Sequence, residues 1–306
     1  MTTGRNLLRR DPQRLGLLRR QFLGELRKAL ALVKSRVWAA IVTDDLLGLR
    51  ESVGFGAGDP LRYLPIDQRV AKFVDWLAGE LSSVLLQQDG FGKQQFAKYA
   101  QQAYVKGGQR TFADIHRLRR ALHPEQYSIR ERQFIHQLTN SPAGRAKISA
   151  ISQRTESHIA GMVTSIMQDV PHIVVLGITR KVSPRVLARA ISNQISGTKG
   201  RQVIIANARK NTGSEARAAR IVATESAGAF AEGQLDALAA LGLEDVEVLA
   251  EWVTADDPCP ECEELEGTVW SLEEAYGMIP RHPNCKCAFA AVDAEGLEDI
   301  TSDWFT

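Results

Sequence analysis

Apolar residues return every three or four positions along most of the chain up to Leu241, the signature of one amphipathic helix after another. Over residues 5–42, Leu15, Leu18, Phe22, Leu26, Ala29, Leu30, Val33 and Val37 share one side. Asp11-Pro12 supplies a start for this helix, with Asp as N-cap and Pro in the first turn. Its other faces carry Arg9, Arg10, Arg14, Arg19, Arg20, Arg27, Lys28, Lys34 and Arg36. The breaker-rich run from Gly54 to Pro60 predicts a loop.

A second helix is predicted over 66–87, with Val70, Phe73, Val74, Leu77, Leu81, Val84 and Leu85 inward. A third spans 94–122, with an interruption expected at Gly107-Gly108. Its aromatic series Phe96, Tyr99, Tyr104 and Phe112 sits among basic residues, a pattern that can stack single-stranded nucleic acid. At helical spacing, core packing is the preferred reading. Residues 128–168 continue the helical pattern through Ile148, Ile151, Ile159, Met162, Val163 and Ile166. The segment Pro171–Gly177 is expected to break it. Ser183-Pro184 opens another helix to about Ile195. Gly197–Arg201 predicts a loop that lacks the order of a phosphate-binding loop. An Ala-rich helix follows over Ser214–Leu241.

The texture changes after Gly242. Val246–Val253, Gly267–Trp270 and Cys287–Val292 are short and rich in β-branched or aromatic residues, and they predict strands. Three regions result: a basic N-terminal helical region over 1–127, a central helical region over 128–242, and an acidic, Cys-rich module over 243–306. The predicted fold is mostly α, an elongated helical body with a small C-terminal zinc-stabilised α+β module.

Composition adds little until charge is resolved along the chain. The 306 residues are 44% hydrophobic and 24% charged, ordinary for a soluble protein. Apolar runs such as Ile173–Ile178 are too short to span a bilayer, so no membrane is expected. The basic start lacks an uninterrupted apolar stretch or a small-residue cleavage site, and it reads as mature sequence in a reducing cytoplasm. The net charge of +2 conceals a split: residues 225–306 hold 20 acidic and two basic residues, leaving 36 basic and 16 acidic in residues 1–224. A basic body suits a polyanion or an acidic partner, and the acidic end suits a basic partner or repels nucleic acid.

All four cysteines fall in the acidic end, as Cys259-Pro-Glu-Cys262 and Cys285-Lys-Cys287, with His282 just before the second pair. Short-range pairs of soft donors at this spacing suit tetrahedral zinc, and five candidates compete for four places. Three short strands bury little core alone, and a structural zinc site supplies on the order of 10 kcal/mol. Pro258, Pro280 and Pro283 stiffen the ligand turns, and Asn284 suits a tight bend.

Other uses of the cluster fit less well. Catalytic zinc of the deaminase type needs an H-x-E upstream of Pro-Cys-x-x-Cys, and no histidine lies between His172 and His282. A redox thiolate needs positive surroundings, whereas Asp256, Asp257, Glu261, Glu263, Glu264 and Glu266 surround this pair. Four thiols that simply pack together are the metal-free alternative. No G-x-S-x-G or H-E-x-x-H occurs, and His116, His123, His136 and His158 read as surface residues. Glu225, an acid in an apolar helix, is expected to be buried in a cap or paired with Arg220. No enzymatic role is expected.

The order Trp252-Val-Thr-Ala-Asp-Asp-Pro-Cys-Pro-Glu-Cys262, Leu265-Glu-Gly-Thr-Val269, Pro280-Arg-His-Pro-Asn-Cys-Lys-Cys287 resembles the C-terminal signature of the Mu F-like phage head morphogenesis, or minor head protein, family. Ile221-Val-Ala-Thr-Glu225 is similar to the helix that family members place before it, with Ala223 where Arg is common. The resemblance covers roughly residues 180–292; before that only the basic Asp11–Phe22 stretch is similar in character. It implies a tailed-phage or prophage virion component inside the head at the portal vertex, made in the host cytoplasm, that aids head assembly and DNA packaging or release. Implied partners are the portal protein, the major capsid or scaffolding protein, and packaged double-stranded DNA along the basic helices. A zinc-containing DNA-binding protein acting in the host cell is the alternative.

Overall fold

The computed structural model describes residues 11–49, 64–87, 92–122, 131–196, 214–241 and 248–293. The predicted loops at Gly54–Pro60 and Gly197–Arg201, the strand start at Val246, and His123 lie outside the described residues. The fold is mostly helical with a small C-terminal sheet. In chain order the elements are α1 (Gly16–Trp38), a π-helical turn (Ala39–Thr43), α2 (Ile66–Leu86), α3 (Gly92–Leu122), α4 (Glu131–Asn140), α5 (Pro142–Thr179), α6 (Pro184–Ser196), α7 (Ser214–Leu241), β1 (Val248–Val253), α8 (Pro260–Glu263), β2 (Val269–Trp270), α9 (Leu272–Ala275) and β3 (Ala288–Asp293).

Packing groups the chain into two compact units. One comprises Met1–Phe22, Gln95–Thr155 and Arg220–Thr306, and the other Leu23–Gln94 and Glu156–Ala219. In the second, Phe73, Leu77, Leu81 and Leu85 of α2 are fully buried, as their spacing requires. Gly177 of α5 admits the Leu187 side chain of α6.

The first unit holds the sheet. Its order is β2-β1-β3, all antiparallel, and the β1–β3 register pairs Trp252 with Phe289. Their rings meet edge to face, with centroids 5.8 Å apart. The outer backbone edge of β3 is closed by a side chain: Gln234 of α7, buried, donates from Nε2 to the Phe289 carbonyl at 2.9 Å and accepts the Phe289 N–H at 3.2 Å. An amide side chain thus stands where another strand would pair. The sheet does not stand alone, as its shortness suggested. Trp252, Phe289, Cys262, Cys285 and Cys287 share one core with Tyr104 and Phe112 of α3, Phe134 and Leu138 of α4, and Leu235 and Leu238 of α7.

Three sequence expectations need correction. Residues 5–10 of the first predicted helix lie outside the described residues. Among those described the helix starts at Gly16 and Asp11 is not its N-cap, because Asp11–Arg14 closes a turn in which the Arg14 N–H donates to the Asp11 carbonyl at 2.9 Å and Arg14 takes φ +49°. Gly107-Gly108 does not interrupt α3; a Cβ on Gly107 would overlap the Phe230 carbonyl, and one on Gly233 would overlap the Tyr104 carbonyl. The glycines allow α3 and α7 to touch backbone to backbone. The helical pattern over 128–168 is met from Glu131 onward by two helices, α4 and α5, with Ser141 between them. Finally, Pro171 lies inside α5. Buried Val170, Ile173 and Val174 flank it, and that burial outweighs the roughly 3 kcal/mol an internal proline costs. With Pro171 included, α5 is long and apolar enough by composition to cross a bilayer, and a third of that apolar window is buried in the protein.

The glycine contact gives a direct stability test. Gly107→Ala is expected to destabilise by about 2 kcal/mol or more in urea unfolding, through overpacking. Gly79→Ala, on α2 with open space around it, is expected to stabilise by up to about 1 kcal/mol. Equal effects at the two sites would refute the close crossing.

Candidate metal centre

The ligand loops are built by local hydrogen bonding. Cys259 is extended and serves as N-cap of α8, with Pro260 in the first helical position. The Cys262 N–H donates back to the Cys259 carbonyl at 3.0 Å, which turns the two sulfurs toward one side. The Leu265-Glu-Gly267 turn is tied to β1 by both backbone and side chain. The Gly267 N–H donates to the Trp252 carbonyl at 2.9 Å, and Glu266 Oε2 accepts the Thr254 N–H at 2.7 Å. Gly267 has φ +75°, a conformation that side chains rarely adopt. In the second ligand loop Asn284 takes φ +67°, as its residue type suggested, and the Cys285 N–H donates to the His282 carbonyl at 3.1 Å.

All five predicted donors converge. Cys259, Cys262 and His282 place their donor atoms within 4.8 Å of one another, and so do Cys262, Cys285 and Cys287. Cys262 belongs to both groups and is the centre of the set. None of the four cysteines is in a disulfide. Cys262, Cys285 and Cys287 are buried, and Cys259 is half-buried. His282 Nδ1 lies 2.9 Å from the Pro283 carbonyl, which can only accept, so the proton belongs on Nδ1. That leaves Nε2, 3.2 Å from Cys262 Sγ, with the lone pair a metal requires. Such a cluster can hold a metal ion.

Protonation divides the thiols. A hydrogen bond from Cys287, followed by backbone donors, holds Cys285 down to about 5 despite its burial. Donation to Cys285, and then burial, pushes Cys287 up. Burial pushes Cys262 up to about 12. Near neutral pH Cys285 is therefore a thiolate while Cys262 and Cys287 stay protonated, and an incoming cation must displace protons. The acidic residues Asp256, Asp257, Glu261, Glu263, Glu264 and Glu266 are exposed, so solvent screens their field.

Helix α7 backs the cluster. Thr224 Oγ1 donates to the Arg220 carbonyl at 2.7 Å and accepts the Asn284 N–H at 3.1 Å. A Cβ on Gly228 would come within 3.2 Å of Pro280 Cδ. Glu225 is buried and forms an ion pair with Arg154 Nε at 2.8 Å, 71 positions upstream. Farther along α7, Asp236 accepts from the Tyr104 and Tyr276 hydroxyls, both at 2.6 Å, and pairs with Lys147. The Lys147 ammonium lies 3.8 Å over the Tyr276 ring. Burial, and then donation to Asp236, pushes both phenols up from their ordinary values.

Gln13, Gln234, Asp236 and Lys147 escaped sequence reasoning because polar residues on helices look alike until a distant partner is known. The histidines at 136, 158 and 172 are exposed, and His116 packs against the Phe112 ring. The aromatic series of α3 is buried, as packing spacing predicted. No family model matches the chain, and no curated protein or solved structure matches it either.

Two outcomes test the centre. Cys262→Ser is expected to weaken cobalt(II) uptake more than Cys259→Ser, read from the thiolate charge-transfer absorbance. Affinity is expected to fall at least about tenfold per pH unit as pH drops from neutrality toward 5. Cys262, pushed up to about 12, stays protonated without metal across that window. Below about 5 the slope steepens as Cys285 also takes a proton. A pH-independent affinity would refute thiolate ligation.

Proposed function

We propose that the chain is a minor head protein of a tailed phage or prophage, a non-enzymatic virion component carrying structural zinc. The observation that carries this reading is the convergence of Cys259, Cys262, His282, Cys285 and Cys287 within the ordered frame of the head-morphogenesis signature. Trp252 is buried in the core beside the cysteines, Gly267 makes the turn after Leu265-Glu, and Asn284 makes the bend inside His-Pro-x-Cys-Lys-Cys. Each motif position thus has a physical task in bringing the ligands together.

Sulfur-rich tetrahedral coordination favours zinc over harder cations. Cys262, Cys285 and Cys287 would hold it with either Cys259 or His282. A catalytic zinc keeps a position open for water. Here four further donors crowd around Cys262, which favours a closed, structural site. The protein is placed inside the head at the portal vertex, after assembly in the host cytoplasm. Its partners are the portal protein, capsid or scaffolding protein, and packaged DNA.

A second reading, a zinc-containing DNA-binding protein of the host cell, draws on the exposed Arg14, Arg20, Arg27 and Lys28. Phosphate contacts by such residues make binding strongly salt-dependent.

The decisive experiment is sedimentation with assembled particles. The protein is expected to travel with intact heads and with isolated portal complexes, carrying about one zinc per chain. Less than about half an equivalent of zinc would defeat the structural ion. Absence from particles, together with salt-sensitive binding to free DNA, would replace the head-protein reading with the second.

A further inference from the structure

The cysteine cluster has neighbours from the opposite end of the chain. The turn at Asp11–Arg14 places Gln13 in the interior, where it is 2% exposed. Gln13 Nε2 donates to the Cys287 carbonyl at 2.6 Å, across 274 positions of sequence. Arg19, on the first turn of α1, donates to Gln13 Oε1 and, at 3.4 Å, to the Ala223 carbonyl of α7. The Arg19 Nε is buried without a hydrogen-bond partner. Burial works against the guanidinium charge, while Asp11 and Cys285 support it.

These contacts have the form that ligand-supporting residues take around metals. A group that holds a ligand's backbone fixes the direction of its sulfur. A zinc bound by three or four thiolates leaves the cluster with net negative charge, which a half-buried cation offsets in a poorly solvated site. Burying an arginine with an unsatisfied Nε is costly in isolation. Beside a loaded thiolate cluster that cost has an electrostatic return.

We propose that Gln13 and Arg19 are positioning residues of the metal centre, and that metal binding in the C-terminal cysteine loops thereby fastens the N-terminal turn at residues 11–19. The proposal rests on the zinc reading above. Gln13 orients Cys287 through its carbonyl, and Arg19 orients Gln13 and balances the sulfur charge. The coupling runs both ways: metal removal loosens the turn, and loosening the turn speeds metal loss.

The test uses the full chain loaded with zinc, with release followed by a chromogenic chelator. Gln13→Ala and Arg19→Gln are expected to release zinc about tenfold faster or more. Arg19→Lys, which keeps the charge, is expected to recover part of the loss, and exposed Arg20→Gln to stay within about twofold of wild type. In the cobalt(II) form, Gln13→Ala is expected to shift the thiolate charge-transfer band, which a loss of general stability would leave in place. In the wild type, trypsin is expected to cut after Arg14 and Arg19 faster once zinc is removed, a readout that needs no variant to fold.

Wild-type release rates in both Gln13→Ala and Arg19→Gln, or tryptic cutting unchanged by zinc, would overturn the proposal while leaving the zinc site intact. A wild type that takes up neither zinc nor cobalt would overturn the zinc reading and this proposal together.

Discussion

The close approach that the glycines of helix α7 permit on two faces is the constraint on which the rest of the first unit depends. Gly233 lets α7 touch α3 at the backbone, and Gly228 leaves room for Pro280 of the second ligand loop. Between and around these glycines, Thr224, Gln234 and Asp236 meet Asn284, Phe289 and Tyr276 of the C-terminal module. A helix with bulky residues at the glycine positions would stand several ångströms farther off, beyond the reach of those hydrogen bonds. The cysteine loops would then lose their backing. The Ala-rich composition of α7 is therefore a geometric requirement of the module as well as a good source of helix propensity.

That dependence changes the part a metal plays. In a free-standing zinc finger the ion replaces a missing core, and the metal-free chain is unfolded. Here Trp252 and the buried cysteines already share a core with α3, α4 and α7. Neutral thiols pack as small apolar groups, and burial together with hydrogen bonding keeps Cys262 and Cys287 neutral near pH 7. The metal-free cluster is thus compatible with the fold. An ion adds direction: it replaces loosely oriented S–H contacts with bonds of fixed length and angle, and so fixes the loops at 259–262 and 282–287 relative to each other.

Much of this was readable in one dimension. The inward faces of α1 and α2 followed from 3–4 spacing, because burial on a helix is periodic and α2 departs from its expected core only at half-buried Val74. The cysteine spacing announced its own chemistry, and all five donors do converge. The errors came where one residue type serves two physical ends. Gly107-Gly108 looked like a break because glycine is flexible, whereas here its lack of a Cβ is what matters. Pro171 looked like an end because it lacks an N–H, and flanking burial overrode that loss. Contacts between remote segments, such as Gln13 with Cys287, leave no periodic trace at all. The grouping of Met1–Phe22 with Arg220–Thr306 was invisible for the same reason.

The charge split along the chain takes on a different meaning once these contacts are known. The acidic residues around Cys259 and Cys262 are exposed and screened, so their field at the sulfurs is weak. Arg19 is half-buried, and the charge of Cys285 acts on it. One cation in a low-dielectric pocket outweighs several solvated carboxylates at the surface, because interaction energy scales inversely with the effective dielectric. The net charge of the acidic end is therefore a poor guide to the potential at the cluster. It is a better guide to what approaches from outside, where the carboxylates of the module disfavour a polyanion and the exposed arginines and lysines of α1 favour one. On that division, an ion held by the cluster would organise the interior of the first unit, while exposed charges act on what approaches from outside.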